Sequence, residues 1–339
     1  MLKRWMHKRE RYFAMLNDNR IVRPFEWGTE YIGFEGSAPN PYELFQQNTK
    51  EILATSDNYF AMPNDLTFDF DEEFNDLTWH SAGSTESIEN NIARAKLFSL
   101  ENDKRAAVVV LPHWNAQAES YFNLCENFVR FGVTALRLTL PYHEERMPPE
   151  LERADHLVSP NIGRTLESVR QAVLDTKAAV KWLYLQGYER VGVVGTSIGS
   201  CVAFLAFVHD SSITSAVFNH VSGYVADVVW RGLSTYHVRE GIGENISLEQ
   251  LRECWLPISP MAYMEKLAAQ PPRSQRYIYT RYDLSFPVDL SLKTMRALRE
   301  HGIPHDEVSL PCGHYTLGEK PWVYLDGYKI ISFLRKKLR

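Results

Sequence analysis

Hydrophobic and polar positions follow two different patterns along the chain, divided near residue 105. After that position, short apolar runs rich in β-branched residues alternate with longer segments in which apolar residues recur at helical spacing. The apolar runs predict strands over 106–111, 133–140, 191–194, 213–219, 276–280 and 307–310, and the longer segments predict helices over 119–131, 165–185, 201–208, 288–299 and 323–338. Strands that alternate with helices form parallel βαβ units with helices on both faces of the sheet. The pattern therefore predicts an α/β fold built on a mostly parallel, doubly wound sheet.

Two segments depart from this alternation. Before residue 105 the pattern predicts a helix over 42–54 and strands over 66–70, 77–81 and 92–100, which we interpret as an antiparallel start to the sheet. The segment 222–272 is rich in aromatic residues and carries helix-start signals, so it predicts a helical cap inserted over the strand ends. We therefore divide the chain into an N-terminal extension, 1–90, and a main domain, 91–339, with the cap at about 222–272.

Length and charge set limits on the class of protein. The chain has 339 residues, 45% of them hydrophobic, which is enough to bury a full core. Its formal net charge of −5 gives no reason to expect nucleic acid as a partner. The composition predicts a soluble globular protein, either a monomer or an oligomer.

Neither acidic residues nor cysteines predict a metal site. The acidic cluster between the first two predicted strands is typical of a solvated hairpin tip, and it comprises Asp69, Asp71, Glu72, Glu73 and Asp76. The cysteines are far apart and form no C-x-x-C pair, and they are Cys125, Cys201, Cys254 and Cys312. We expect neither a zinc site nor a disulfide framework, and reduced thiols are typical of a cytoplasmic protein.

The first sixteen residues are basic but contain no uninterrupted apolar run, so they do not predict a secretory signal. No later segment has the length and apolar character of a membrane span. Trp5, Tyr12, Met15 and Leu16 would share one face of an amphipathic helix. We expect this face to dock onto the domain or onto a second subunit, and weak peripheral association with a membrane is the alternative.

One serine lies where a strand predicted to be buried turns into a helix. The sequence Gly195-Thr196-Ser197-Ile198-Gly199 follows the predicted strand 191–194 and precedes an apolar run of helical length. This G-x-S-x-G pattern is typical of a nucleophile elbow, in which glycines permit a sharp turn and the serine hydroxyl is exposed. An ordinary Gly-Ser turn is the alternative, but the strand before and the helix after favour Ser197 as a nucleophile.

A serine nucleophile needs a base, and the base needs an acid that fixes its tautomer. Asp283 follows the predicted strand 276–280, and His314 follows the predicted strand 307–310, so both lie at strand ends in the chain order serine, acid, histidine. Asp283 as a plain turn residue and His314 as an ordinary loop histidine are the alternatives. Asp289 and Asp227 are weaker candidates for the acid, because they fall in a predicted helix and in the cap.

An oxyanion hole requires two N–H donors aimed at the charge that develops on the carbonyl oxygen. Ile198, directly after the nucleophile, should provide one donor. The other should come from the loop after the predicted strand 106–111, with Trp114 as the first choice and Asn115 as the second.

Taken together, Gly195-x-Ser197-x-Gly199, Asp283 in an Asp-x-x-x-Pro loop and Gly313-His314 resemble the α/β-hydrolase superfamily over about residues 90–339. The resemblance implies the α/β-hydrolase fold and a Ser-His-Asp hydrolase, commonly an esterase, lipase, thioesterase or peptidase, without metal or organic cofactor. One departure from the superfamily pattern is that Pro112-His113 stands where His-Gly is usual before the oxyanion residue. The stretch Pro141-Tyr142-His143-Glu144-Glu145-Arg146 is similar to one in the abhydrolase-18-like group.

The predicted pocket is aromatic. Side chains expected to contact the substrate are His113, Tyr142, His143 and His220, although His220 is as easily a packed residue at a strand end. Arg231 and Arg239 could bind a carboxylate or phosphate, with solvated arginines as the alternative. An apolar aromatic cleft suits a small acyl or aryl ester, so we predict ester hydrolysis through an acyl-enzyme. A peptidase or amidase of the same fold and a non-catalytic binding protein are the alternatives.

Overall fold

The computed structural model describes residues 2–16, 18–36, 39–99 and 103–339. Within these residues, nine strands form one sheet. In chain order they are β1 (Phe68–Asp71), β2 (Asp76–His80), β3 (Ile92–Phe98), β4 (Ala106–Leu111), β5 (Thr134–Thr139), β6 (Arg190–Thr196), β7 (Ile213–Asn219), β8 (Ser274–Thr280) and β9 (Asp306–Leu310). Every predicted strand is present, and residue 100, the end of the predicted strand 92–100, lies outside the described residues.

The strand order across the sheet is β1-β2-β3-β5-β4-β6-β7-β8-β9. β1, β2, β3 and β5 pair antiparallel, and the pairs from β5 through β4 to β9 are all parallel. The antiparallel start and the mostly parallel sheet that the sequence predicted are both confirmed. The acidic cluster falls on the β1–β2 hairpin, whose turn is 72–75.

Helices cover the sheet and connect its parallel strands. In chain order they are α1 (Leu2–Met15), α2 (Pro41–Ala54), α3 (Ser56–Tyr59), α4 (Phe122–Arg130), α5 (Ile162–Leu185), α6 (Ile198–His209), α7 (Val225–Arg231), α8 (Tyr236–Ile242), α9 (Leu248–Cys254), α10 (Met264–Ala268), α11 (Val288–Glu300) and α12 (Trp322–Leu338). The helix predicted over 119–131 begins later, at Phe122, because Tyr121 adopts a left-handed backbone conformation with φ 74°. The cap is helical as predicted and comprises α7 to α10 with short 3-10 turns between them.

The core lies on both faces of the sheet, as expected for a doubly wound arrangement. Along β4, successive side chains point to opposite faces, and all six residues of the strand are buried. Ala107, Val109 and Leu111 belong to the cluster that α5 and α6 cover. Ala106, Val108 and Val110 belong to the cluster that α4 and α12 cover. An uninterrupted apolar run is therefore the pattern that this central strand requires.

The N-terminal helix α1 docks onto the domain, but through a different face from the one that its apolar residues indicated. Met6, Glu10 and Ala14 are its buried residues, spaced four apart along one side. The large apolar residues instead remain exposed, and they are Trp5, Tyr12, Met15 and Leu16. This apolar face does not dock onto the domain, because the opposite face makes the contact, and its docking onto a second subunit stays a prediction. No helix in the described ranges has the length and apolar character needed to cross a membrane.

Candidate active site

Ser197 lies at the turn between β6 and α6, at the carboxyl edge of the parallel strands. Its backbone has φ 59° and ψ −123°, a strained conformation for a non-glycine residue. Its N–H donates to the carbonyl of Asn219 at the end of β7, 2.9 Å away, which holds the turn against the neighbouring strand. Gly199 permits the start of α6 to pack closely on the end of β4, because a Cβ at this position would collide with the carbonyl oxygens of Leu111 and Pro112.

Asp283 is held by its own loop after β8. One carboxylate oxygen, Oδ1, accepts the backbone N–H groups of Ser285 at 2.8 Å and Phe286 at 2.7 Å. The other oxygen, Oδ2, accepts the hydroxyl of Thr280 at 3.1 Å. Asp283 is 5% exposed, so the loop fixes a buried carboxylate in one orientation.

Two imidazoles share that carboxylate. Nδ1 of His314, in the loop after β9, lies 3.2 Å from Asp283 Oδ2, and Nδ1 of His220, after β7, lies 3.0 Å from the same oxygen. An ionised carboxylate only accepts hydrogen bonds, so both Nδ1 atoms donate and each Nε2 is left to accept a proton. The two rings are 4.5 Å apart between centroids, and Phe286 stacks on the His314 ring at 5.3 Å.

The charges in this cluster distinguish the two imidazoles. Burial alone would raise the pKa of the Asp283 carboxyl, but the charge of His314 and the hydrogen bonds from His220 and His314 outweigh it and hold that pKa well below its usual range. Burial disfavours a charged His314, yet the charge and hydrogen bond of Asp283, with the charge of Glu10, raise the pKa of His314. Burial and the charge of His314 lower the pKa of His220 despite its bond to Asp283. His314 is therefore the stronger base of the two.

Ser197 is linked to this pair through the end of β7. Ser197 bonds to Asn219, and His220, the next residue, packs its ring against that of His314. Within the described residues the Ser197 hydroxyl makes no hydrogen bond to His314. In enzymes without substrate, hydrogen bonds between nucleophile and base are often long and tighten in the reacting complex.

The two oxyanion candidates in the loop after β4 differ in what their N–H groups do. The Asn115 N–H donates to His143 Nε2 at 2.8 Å, so it is already used. The Trp114 N–H and the N–H of Ile198, at the start of α6, donate to no acceptor in the part of the chain that the structure describes. The Trp114 indole donates to the Ala154 carbonyl at 2.8 Å, which anchors the loop. The geometry favours Trp114 over Asn115.

The other predicted pocket residues are mostly buried among protein groups. His113 bonds through Nδ1 to the hydroxyl of Tyr121 at 2.9 Å, and burial, with the charge of His314, lowers its pKa to about 4. His143 has both ring nitrogens in hydrogen bonds, and burial lowers its pKa to about 3. Tyr142 is 2% exposed and borders a separate surface cavity. In the structure His143 therefore supports the loop that contains Asn115. His220 is bonded to Asp283.

Asp227 and Arg231 of the cap each form an ion pair. Asp227 binds Arg252 at 2.5 Å, and Arg231 binds Asp289 at 2.7 Å. Arg239 lies over the Trp230 ring at 3.6 Å. The cap contacts the loop after β4 directly, because His237 stacks on Trp114 with ring centroids 5.5 Å apart.

Sequence reasoning missed the contribution of the N-terminal segment. The Glu10 carboxylate accepts the N–H groups of Tyr315 and Thr316, the two residues after His314. Arg20 donates to the Tyr315 hydroxyl at 2.9 Å and to the Ser234 carbonyl of the cap at 3.2 Å. The available signal was Glu10 itself, the only acidic residue in the basic segment 2–16.

His220, Asp283 and His314 are also of the residue types that bind metal ions, and their ligand atoms lie within 4.8 Å of one another. The additional bonds from Thr280 and from two backbone N–H groups orient the carboxylate toward the imidazoles. All the hydrogen bonds of Asp283 in the described residues are therefore made to protein groups. The four cysteines are all buried within the described ranges and form no disulfide with one another.

Comparisons with known proteins agree with the fold. No protein-family model matches the sequence, and no curated protein matches it. The structure is similar to that of an acylaminoacyl peptidase from Pyrococcus horikoshii, with a TM-score of 0.58 and 16% identity over 77% of this chain and 41% of that one. It is similar to an acetyl xylan esterase from Paenibacillus sp. R4, with a TM-score of 0.58 and 14% identity over 90% and 98% of the two chains. It is also similar to an esterase from Pyrococcus furiosus, with a TM-score of 0.51 and 18% identity over 82% and 98%.

The chain therefore has the α/β-hydrolase fold that its sequence resemblance implied. It spans less than half of the length of the acylaminoacyl peptidase, at 41%, but almost the whole length of the Paenibacillus esterase, at 98%. These similar structures are named as esterases and peptidases, which are hydrolases.

Proposed function

We propose that this protein is a serine hydrolase that cleaves a carboxylic ester through an acyl-enzyme intermediate. The observation that carries the proposal is the pair formed by Asp283 and His314, with 3.2 Å between Oδ2 and Nδ1, and a serine on a strained strand-to-helix turn at the same carboxyl edge of the sheet. The lowered pKa of Asp283 keeps its carboxylate ionised, and the raised pKa of His314 makes its imidazole a stronger base. Both properties suit general-base catalysis.

In the acylation step, Ser197 Oγ attacks the carbonyl carbon of the ester and His314 Nε2 takes the hydroxyl proton. Asp283 stabilises the imidazolium, and the N–H groups of Ile198 and Trp114 bind the oxyanion. The tetrahedral intermediate then collapses, the bond to the alkoxide oxygen breaks, and His314 gives its proton to the departing alcohol. The serine is left as an acyl ester.

In the deacylation step, water takes the place of the alcohol. His314 removes one proton from the water, and the hydroxide attacks the acyl carbon. The second tetrahedral intermediate releases Ser197, which recovers its proton from His314. The products are one carboxylic acid and one alcohol, and the protein returns to its starting state.

Replacement of the nucleophile tests this proposal. Ser197→Ala should lower turnover of p-nitrophenyl esters by about 10⁴- to 10⁶-fold, because the remaining groups cannot form an acyl-enzyme. Ser212→Ala, at an exposed position before β7, is the matched control and should retain full activity. A fluorophosphonate probe should label the wild-type protein at Ser197 alone. Ester hydrolysis that survives Ser197→Ala in pure protein would refute the mechanism.

A peptidase or amidase would use the same groups, and the similarity to an acylaminoacyl peptidase favours testing it. Aminoacyl anilides assayed beside the esters separate the two activities. If the anilides are cleaved faster than the esters, the substrate is an amide and not an ester. If the protein shows no turnover of either substrate and no labelling by the probe, it is a non-catalytic binding protein.

A further inference from the structure

Glu10 is a buried carboxylate on the first helix. It lies on the docked face of α1 between Met6 and Ala14 and is fully buried. The remaining charged side chains of this helix are basic, namely Lys3, Arg4, Lys8, Arg9 and Arg11. Arg9 is the basic neighbour that forms an ion pair, with Glu319. A single acid at a buried position of a basic helix calls for an explanation, because burial of a charge is costly.

The contacts of Glu10 surround His314. Oε1 accepts the N–H of Thr316 at 2.8 Å, and Oε2 accepts the N–H of Tyr315 at 3.1 Å. On the other side of His314, Gly313 has no side chain, and a Cβ there would collide with the Glu10 carboxyl group. The carboxylate therefore occupies the space beneath the histidine loop and contacts the residues on both sides of His314.

A neutral acceptor would satisfy the same two N–H groups at a lower burial cost. In the described part of the chain, no lysine or arginine forms an ion pair with Glu10. The cation that its charge can stabilise is the imidazolium of His314, whose pKa Asp283 and Glu10 both raise against the effect of burial. Burial raises the pKa of Glu10 itself, and the two N–H groups oppose that shift.

We propose that Glu10 is a positioning residue for the proposed hydrolysis: it holds the His314 loop by two backbone N–H groups and places a second negative charge beside the imidazole. This inference rests on the proposed function, in which His314 accepts the proton of Ser197. The first helix is then a part of the active site, 187 residues before the nucleophile in sequence.

A role for the charge of Glu10 and a role for its shape alone make different predictions about the pH dependence of activity. His314 must be neutral to accept a proton, so activity rises with pH through its pKa. Loss of the Glu10 charge destabilises the imidazolium, which lowers that pKa and moves the acid limb of the profile to lower pH. A purely structural contact would change the rate or the stability and leave the limb in place. The other groups that face His314 or Glu10 stay constant in this comparison, and they are Asp283, His220, His113, Cys312 and Tyr315.

The test compares Glu10→Gln, which keeps the length and removes the charge, with Glu10→Asp, which keeps the charge and shortens the side chain. Arg9→Ala breaks the surface ion pair of the same helix and is the matched control. We measure the pH dependence of kcat/KM for a p-nitrophenyl ester, and the pKa of His314 by NMR titration. Glu10→Gln should lower both apparent pKa values by about 0.5 pH unit, whereas Glu10→Asp and Arg9→Ala should leave them near the wild-type values.

An unchanged limb and an unchanged His314 titration in folded Glu10→Gln protein would overturn the proposal. If Glu10→Gln does not fold, Gly313→Ala decides, because its methyl group displaces the carboxylate while the helix keeps its sequence. The same downward shift in Gly313→Ala supports the proposal, and no shift overturns it. The NMR titration needs no turnover. If the wild-type protein hydrolyses no ester but the pKa of His314 is lower in Glu10→Gln than in wild type, the hydrolase function is refuted and the effect of Glu10 on His314 stands.

Discussion

Asp283→Asn is the change that most directly tests the acid. The carboxylate accepts bonds from two backbone N–H groups on Oδ1, and from the Thr280 hydroxyl and two imidazoles on Oδ2. In the asparagine variant the amide oxygen would remain with the two backbone donors, so its NH₂ would face His220 and His314. An NH₂ group cannot accept from Nδ1–H, so His314 would change tautomer and present N–H to the serine.

The expected cost follows from that geometry. A base held in the wrong tautomer loses about 10⁴-fold in kcat in serine hydrolases, which corresponds to about 5 kcal/mol of transition-state stabilisation. Loss of charge-assisted bonds to a buried group should also lower the free energy of unfolding by about 2–4 kcal/mol. The two effects are measured separately, by turnover of a p-nitrophenyl ester at pH 8 and by urea denaturation.

Asp289→Asn is the matched control, because it removes the same charge from a carboxylate of the next helix. Asp289 binds Arg231 at the surface, where its side chain is 60% exposed. Breaking an exposed ion pair costs less than about 1 kcal/mol, so turnover should stay within twofold of wild type. A large loss of turnover in Asp289→Asn, together with near-normal turnover in Asp283→Asn, would show that the acid has been assigned to the wrong residue.

Two further predictions concern other titratable groups near the sheet edge. His314→Gln should lose at least about 10³-fold in turnover, whereas His220→Gln, whose amide can still donate to Asp283, should lose less than about tenfold, and equal losses would contradict His314 as the base. Burial raises the pKa of Asp326 to about 7 against its bond from Asn219, so the stability that its protonated form contributes is present below about pH 4 and is lost as pH rises through 7. Asp326→Asn should therefore raise the melting temperature at pH 8 and have little effect at pH 4, and a destabilised variant at pH 8 would contradict the shift.

The sequence predicted the fold because its signals are local. β7 occupies 213–219 as predicted, and β4 occupies 106–111, since a central parallel strand must be apolar on both faces. The loops that contain Ser197, Asp283 and His314 were also identifiable, because each follows a predicted strand. Which side chains meet across those loops is a different question, and the structure answers it only for Asp283 and the two histidines.

Other features of the site depend on contacts between distant segments. Asn115 was the second choice of oxyanion donor after Trp114, and the sequence could not show that His143, 28 positions away, accepts the Asn115 N–H. His220 was ambiguous because a histidine after a strand has no pattern that distinguishes packing from hydrogen bonding. The face of α1 that contacts the domain was predicted wrongly, because an apolar stripe normally marks the buried side of a helix. Here the buried side contains Glu10, whose carboxylate accepts two backbone N–H groups, and the apolar stripe lies on the opposite side.

The bond between Glu10 and Thr316 joins residues 306 positions apart, close to the full length of the chain. During synthesis the first helix leaves the ribosome long before its partner segment has been translated. The entropy cost of closing so long a loop rises only slowly with length, but the contact cannot form until residues 313–316 have emerged. On the nascent chain, Glu10 can therefore reach these N–H groups only after all nine strands have been synthesised. Termination upstream of that segment would remove the two N–H groups that the Glu10 carboxylate accepts.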